Sequence, residues 1–195
     1  MEQQDFSVKD SLQLIESMIS KAQNRFNENG HLYLLWGWVV MVCSLASFIC
    51  LYFFASFAYV NYIWMLTIPT VIYQMIYLAR KKKSENVRTY TDEINKYVWV
   101  VFVIMGFLVA IIIGRSGYPE LFNPLILMLY GMPTFLSGVI LKFVPLRIGA
   151  ISCWVLALVS VFIPYEFSFL LLALAVITTW IVPGYLLRLR FKTQY

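Results

Sequence analysis

Apolar and polar residues are sharply separated along this chain. The longest apolar run, from Leu32 to Ala79, covers 48 positions without an Asp, Glu, Lys or Arg. A single helix of that length would measure about 72 Å, whereas the hydrocarbon core of a bilayer is about 30 Å thick. The run therefore predicts two membrane-spanning helices, with a turn near residues 57–61 between them and a basic stop at Arg80.

The same reasoning divides the rest of the chain. Charge-free segments separated by short polar turns predict spans at about 32–56, 62–80, 97–115, 121–142, 147–164 and 167–188. At the start of the fourth span, Asn123 and Pro124 are the residue types of an N-cap and a first helical position. The predicted fold is an all-α integral membrane protein with six transmembrane helices arranged as three helical hairpins. We expect this domain to occupy residues 31–192, with a basic cytosolic loop at 81–96 and a tail at 193–195.

Residues 1–30 predict a cytosolic amphipathic helix in front of the first span. Ser7 and Asp10 have the spacing of a capping box. Apolar residues then recur at spacings of four and three, which is the pattern of a coiled-coil seam. The members of this association seam are Val8, Leu12, Ile15, Ile19, Ala22 and Phe26.

The charges beside the association seam indicate what it contacts. Between residues 7 and 29, three basic residues are matched by three acidic ones. A helix that lies flat on anionic lipid carries a basic polar face instead. The balance favours docking against protein, which leaves the chain's own cytosolic loops, a second copy and a separate partner as alternatives. Binding to the membrane surface stays open as well.

Basic residues are distributed asymmetrically over the predicted loops. Of the 15 Lys and Arg residues, only Arg115 falls on the side opposite the termini. This asymmetry predicts that both termini are cytoplasmic. The short loops and the absence of an Asn-x-Ser/Thr sequence favour the bacterial cytoplasmic membrane. The densest basic run is interpreted as a topology anchor, with binding of anionic lipid headgroups as the alternative, and it comprises Arg80, Lys81, Lys82 and Lys83.

Composition narrows the classes of function. The chain is 61% hydrophobic and 13% charged with a formal charge of +5, but its basic residues lie at span ends and form no stripe for nucleic acid. Three cysteines without a CxxC spacing and a single histidine, His31, predict neither a metal site nor a cofactor. No hydrolase, metalloprotease or P-loop motif occurs, so we expect a protein that is not an enzyme.

Each predicted hairpin has an early tryptophan in its first helix and an internal proline in its second. The pairs are Trp38 with Pro69, Trp99 with Pro133, and Trp154 with Pro183. Either a repeated ancestral hairpin or chance accounts for this pattern. Pro69, Pro133 and Pro183 predict helix kinks, and kinks free backbone carbonyls that can line a cavity, as in the broken helices of transporters.

Two hypotheses for function follow. The leading one is a non-enzymatic accessory or regulatory protein that associates, through its N-terminal helix, with a protein partner or a second copy. The alternative is a transporter or a small-molecule-binding permease subunit. In size and in its six predicted spans the chain is similar in outline to the substrate-binding S components of energy-coupling-factor vitamin transporters. It departs from them in lacking their AxxxA signature in the first span.

Overall fold

The computed structural model of the chain describes residues 12–13, 15–18, 30–54, 57–84 and 90–192. Their regular structure is entirely helical, with no strand among them, which confirms the predicted all-helical class. Residues 12–13 and 15–18 are helical. The helices after them are α1 (Gly30–Phe54), α2 (Phe57–Trp64), α3 (Thr67–Ser84), α4 (Tyr90–Ser116), α5 (Phe122–Ile140), α6 (Val144–Ser160), α7 (Tyr165–Val176) and α8 (Val182–Lys192). A 3₁₀ turn, Pro119–Leu121, precedes α5, and a π-helical segment, Ile177–Ile181, joins α7 to α8.

Helices satisfy their own backbone hydrogen bonds, which is what an apolar surrounding requires of a spanning segment. Five helical stretches in the described chain are long and apolar enough to cross a membrane. They are Gly30–Phe54, Tyr59–Arg80, Ile94–Ser116, Pro119–Ile140 and Tyr165–Leu189. They match five of the six predicted spans. The helix at the predicted fifth span, α6, is apolar but has only 17 residues.

The core lies between α1, α5, α6 and the α7–α8 rod. Its buried side chains come from all of these helices, for example Val40 on α1, Leu127 on α5, Leu146 on α6 and Leu172 on α7. The most extensive contacts join α5 to α6 and α1 to α7. Because each of these pairs combines helices of different predicted hairpins, packing between hairpins dominates over packing within them.

The remaining two long helices lie at the edges of this core. α3 packs on α1, and α4 packs on α5. Most of the apolar side chains on both helices are exposed. The backbone of the predicted basic loop 81–96 is helical up to Ser84 and again from Tyr90 onward.

The second apolar stretch is interrupted in a place that the sequence did not indicate. The predicted turn at 57–61 was wrong, because these residues form most of α2. A break in the second span follows at Met65 and Leu66, whose amides donate to the carbonyl oxygens of Tyr62 and Ile63 at 3.1 and 3.2 Å. The helix then resumes as α3.

The predicted capping role of Asn123 was also wrong. The 3₁₀ turn brings the chain into α5 two residues earlier, so that Leu121 is the N-cap and Asn123 lies within the first turn. The Asn123 side chain is fully buried, and its amide donates a 2.6 Å hydrogen bond to the Ser168 hydroxyl on α7. Asn123 therefore joins two helices of the core instead of capping one.

Candidate functional site

The association seam is described at two of its six positions. Leu12 and Ile15 lie on helical backbone with 56% and 53% of their surface exposed. At these positions the seam is not buried against the rest of the chain. The other four members, Val8, Ile19, Ala22 and Phe26, lie outside the described residues.

Several helix ends that carry basic residues meet at one end of the bundle, which we call the basic end. These are the ends next to Arg80 on α3, Lys96 on α4, Lys142 after α5 and Arg188 on α8. Arg80 is exposed, and α3 continues through the three lysines to Ser84. Whether Arg80, Lys81, Lys82 and Lys83 act as an anchor stays a prediction, since the side chains of the three lysines lie outside the description.

At the basic end His31 joins three helices. A guanidinium nitrogen of Arg188 lies 3.2 Å from His31 Nδ1, and His31 Nε2 lies 3.3 Å from the Tyr73 hydroxyl. Arginine has donors only, so Nδ1 accepts and the ring proton belongs on Nε2, facing Tyr73. The imidazole also packs against the Tyr77 ring at 5.6 Å. His31 therefore links α1, α3 and α8, a role that its position in the sequence did not indicate.

Two further side-chain bridges hold the edge helices to the core. The Trp36 indole donates to the Gln74 carbonyl oxygen at 2.6 Å, which ties α3 to α1. The Ser137 hydroxyl donates to the Asn95 carbonyl oxygen at 2.8 Å, which ties α4 to α5. Both bridges join residues about 40 positions apart, and no local motif marks either pair in the sequence.

Next to these bridges, aromatic rings from four elements form a closed cluster. Trp180, in the π segment, packs against Tyr130 at 4.9 Å and Trp99 at 6.2 Å, and Phe102 and Tyr33 complete the cluster. These centroid separations are those of directly packed rings. The cluster is therefore a packed part of the core with no room for a ligand between its rings.

The tryptophans of the proposed repeat do not occupy equivalent places. Trp99 belongs to the aromatic cluster, whereas Trp38 is exposed. Trp154 packs on Gly131, and its indole donates to the Met128 carbonyl oxygen at 3.2 Å. Tyr33, five residues before Trp38 on α1, is buried.

The three prolines also have different surroundings. Pro69 is the third residue of α3, directly after the break at Met65 and Leu66. Pro133 lies inside the continuous helix α5, and Pro183 is the second residue of α8, directly after the π segment. Two of the three thus follow an irregular segment. The predicted kinks stay a prediction, and only Pro133 borders a cavity described below.

A groove of about 400 Å³ lies between α4 and α5. The α5 side is formed by Leu129, Met132, Pro133 and Leu136. The α4 side is formed by one face of the helix, and its residues are Ile94, Tyr97, Val98, Val101, Phe102 and Met105. The volume falls within the roughly 300–1,000 Å³ typical of small-molecule sites. The three-and-four spacing of the α4 residues is visible in the sequence, but an all-apolar helix shows the same spacing on every face.

Groups for catalysis or metal binding are not brought together in the described part of the chain. No cluster of three His, Cys, Asp or Glu side chains that could hold a metal ion occurs there. Cys43 and Cys153 carry free thiols and are buried within the bundle. The described features that could engage another molecule are the association seam, the basic end and the groove.

Comparison of the chain with protein-family models, with curated proteins and with solved structures finds no match.

Proposed function

We propose that this protein is a non-enzymatic accessory protein of a membrane, which associates with protein through its N-terminal helix. The exposure of Leu12 and Ile15 carries the proposal. Burying one such side chain fully is worth about 1.5–3 kcal/mol. A helix that leaves both in water gains most from a partner that covers them.

The proposed topology places this helix in the cytoplasm. We propose that α6 also crosses the membrane, because its 17 residues are at the lower limit for a span and it packs against α5, α7 and the π segment. Six spans put both termini on one side. The excess of basic residues at the basic end supports a cytoplasmic location for that side, in the inner membrane of a bacterium.

The occupant that the seam fits most directly is the same seam of a second copy. A seam with apolar residues at a and d positions is self-complementary, since knobs from one helix enter holes of the other. The balanced charges beside it place no strong repulsion between two copies. A separate protein with a similar seam is the other candidate.

The test replaces Ile15 and Ile19 with Asp in the full-length protein. The matched control, Gln13→Asp with Ser20→Asp, adds the same charge outside the seam of the predicted helix. Native mass spectrometry of protein extracted with its surrounding lipid should show a homodimer, or a stoichiometric second polypeptide, in the wild type and the control. The seam variant should retain membrane insertion and lose that complex. A complex that survives in the seam variant would overturn the proposal.

A second candidate function is the binding of a small apolar molecule, and the groove beside Pro133 favours it. Because proline cannot donate to the carbonyl four residues earlier, α5 lacks one backbone hydrogen bond beside this groove. Pro133→Ala should therefore change the retention or uptake of an apolar solute, whereas Pro119→Ala, in the 3₁₀ turn, should not. A solute screen that does not distinguish cells with and without the protein would count against this function.

A further inference from the structure

The groove between α4 and α5 has the length of one membrane leaflet. On α4 it runs from Ile94 to Met105, which are eleven residues or about 16 Å apart along the helix axis. Half of a hydrocarbon core is about 15 Å thick. Ile94 lies two residues from Lys96, one of the residues of the basic end. The groove therefore begins at the basic end and, in the proposed topology, finishes near the middle of the bilayer.

The walls of the groove suit a hydrocarbon chain. All ten lining residues are apolar or aromatic, and Tyr97 is the only one with a polar atom in its side chain. Tyr97 lies at the basic end, one residue from the exposed Lys96. Hydrogen-bonding groups deeper along the groove are not provided by the lining side chains. A solute with several polar groups would therefore lose hydrogen bonds on entering.

A positive charge lies next to the aromatic wall of the groove, on Lys96, which does not itself line the groove. The Lys96 ammonium lies 5.7 Å from the centroid of the Tyr97 ring, so that it stands at the same end as the aromatic wall. One basic residue near a membrane surface attracts an anionic headgroup by about 1 kcal/mol. Lys96 and the groove together thus match a molecule with an anionic head and a long apolar tail.

We infer that the groove binds one acyl chain of an anionic phospholipid from the leaflet at the basic end, with the lipid phosphate beside Lys96. This inference rests on the second candidate function, the binding of an apolar molecule in the groove, and names its ligand class. It does not depend on the association seam. The lipid becomes a bound component that covers the exposed face between α4 and α5.

The test uses full-length protein reconstituted with equal amounts of phosphatidylglycerol and phosphatidylcholine that carry identical acyl chains. Native mass spectrometry after partial delipidation measures how many lipids of each class stay bound. Val101→Trp fills the groove, and Val103→Trp places the same ring on the same helix outside it, where Val103 is 64% exposed. Met132→Trp and Met128→Trp form a second matched pair on α5, so that a failure of one variant to fold does not decide the result.

We expect one phosphatidylglycerol per chain in the wild type and in both control variants. Its retention should fall to the background in Val101→Trp and Met132→Trp. Lys96→Gln should lower the preference for phosphatidylglycerol about fivefold, whereas Lys142→Gln should leave it unchanged.

Three other outcomes would each overturn the inference. Equal retention of both lipids would remove the anionic specificity but leave the binding of an apolar molecule standing. If Val101→Trp and Met132→Trp retain as much phosphatidylglycerol as the wild type, the lipid does not bind in the groove. This result would also contradict the second candidate function. A dimer that dissociates in Val101→Trp would show that a second copy covers the groove.

Discussion

The core helices and the edge helices of this protein are equally apolar but are covered to very different degrees. In the core, buried residues make up 44% of the most apolar segment of α1 and 56% of the corresponding segments in α5 and in the α7–α8 rod. At the edges, they make up 6% of the segment in α2–α3 and 6% of the segment in α4. The glycines show why. A side chain at Gly149 of α6 would meet the backbone of Thr178 and Thr179, whereas one at Gly106 of α4 would meet nothing within 4 Å.

Close fit therefore distinguishes the two regions, and hydrophobicity does not. Between helices in a bilayer there is little hydrophobic driving force, because lipid tails are as apolar as leucine. Small residues and directed hydrogen bonds decide which helices pack. Gly106 and Gly114 of α4 make no such contact, and the edge helices are joined to the core by bridges such as Trp36 to Gln74 and Ser137 to Asn95.

The largest difference between the regions is expected from the same alanine substitution at a glycine in each. An added Cβ at Gly149 would lie 2.6 Å from the Thr178 carbonyl oxygen, and because that atom is backbone it cannot swing aside. Gly149→Ala should lower the free energy of unfolding by about 2 kcal/mol, as overpacking does. Gly106→Ala should leave it unchanged or raise it by about 0.5 kcal/mol, since alanine is the better helix former. Unfolding in mixed micelles measures both, and equal effects would contradict the comparison.

A smaller difference is expected when a leucine is truncated in each region. Leu127 on α5 is fully buried, whereas Leu108 on α4 is 46% exposed. Leu127→Ala should lower the free energy of unfolding by about 1–2 kcal/mol. The cavity left by the side chain is costly, whereas moving a leucine side chain between the core and lipid changes the free energy little. Leu108→Ala should stay within about 0.5 kcal/mol of the wild type, as surface changes do. The same unfolding assay applies. A large loss at Leu108 would mean that α4 is covered in the folded protein.

The smallest effect is expected for the hydrogen bond that joins the edge helix α3 to the core helix α1. Trp36→Phe, Gln74→Leu and the double variant form a double-mutant cycle. Their coupling energy should be about 0.6 kcal/mol, the average for hydrogen bonds between membrane helices. Thr70→Val provides a control, because the Thr70 hydroxyl donates locally, to the Leu66 carbonyl oxygen four residues earlier. Zero coupling between Trp36 and Gln74 would show that α3 is held by other contacts.

The helical class and the positions of the apolar helices could be predicted because absence of charge over about twenty residues leaves few alternatives. The packing of the helices against one another could not be predicted, and two aromatic residues show the reason. Tyr33 and Trp38 lie five positions apart in the same apolar run, yet one is buried and the other is exposed. Since core and lipid select the same side chains, the sequence does not distinguish the two environments.

The candidate sites were predictable to different degrees. The association seam is a pattern in a polar segment, where apolar residues stand out. Its described members Leu12 and Ile15 are exposed, and its role in docking stays a prediction. Pro133 was identified from the sequence, but the α4 wall of the groove was not. The π segment was not predicted, although the sequence has a signal for it: Pro183 follows Ile177–Ile181 and cannot donate to the Thr179 carbonyl oxygen four residues earlier.

The π segment also sets the rotational phase of the last helix. A π bulge holds one residue more than the α-helical turn it replaces. Deletion of Thr178 alone would regularise the rod and keep this phase. A regular α-helix built from all of the present residues would instead turn everything beyond by about 100°. Arg188 would then leave His31, and Leu187 would leave the core. The π segment thus sets the rotation of α8 relative to α7. Because of it, both helices of the rod turn their packing faces toward the core.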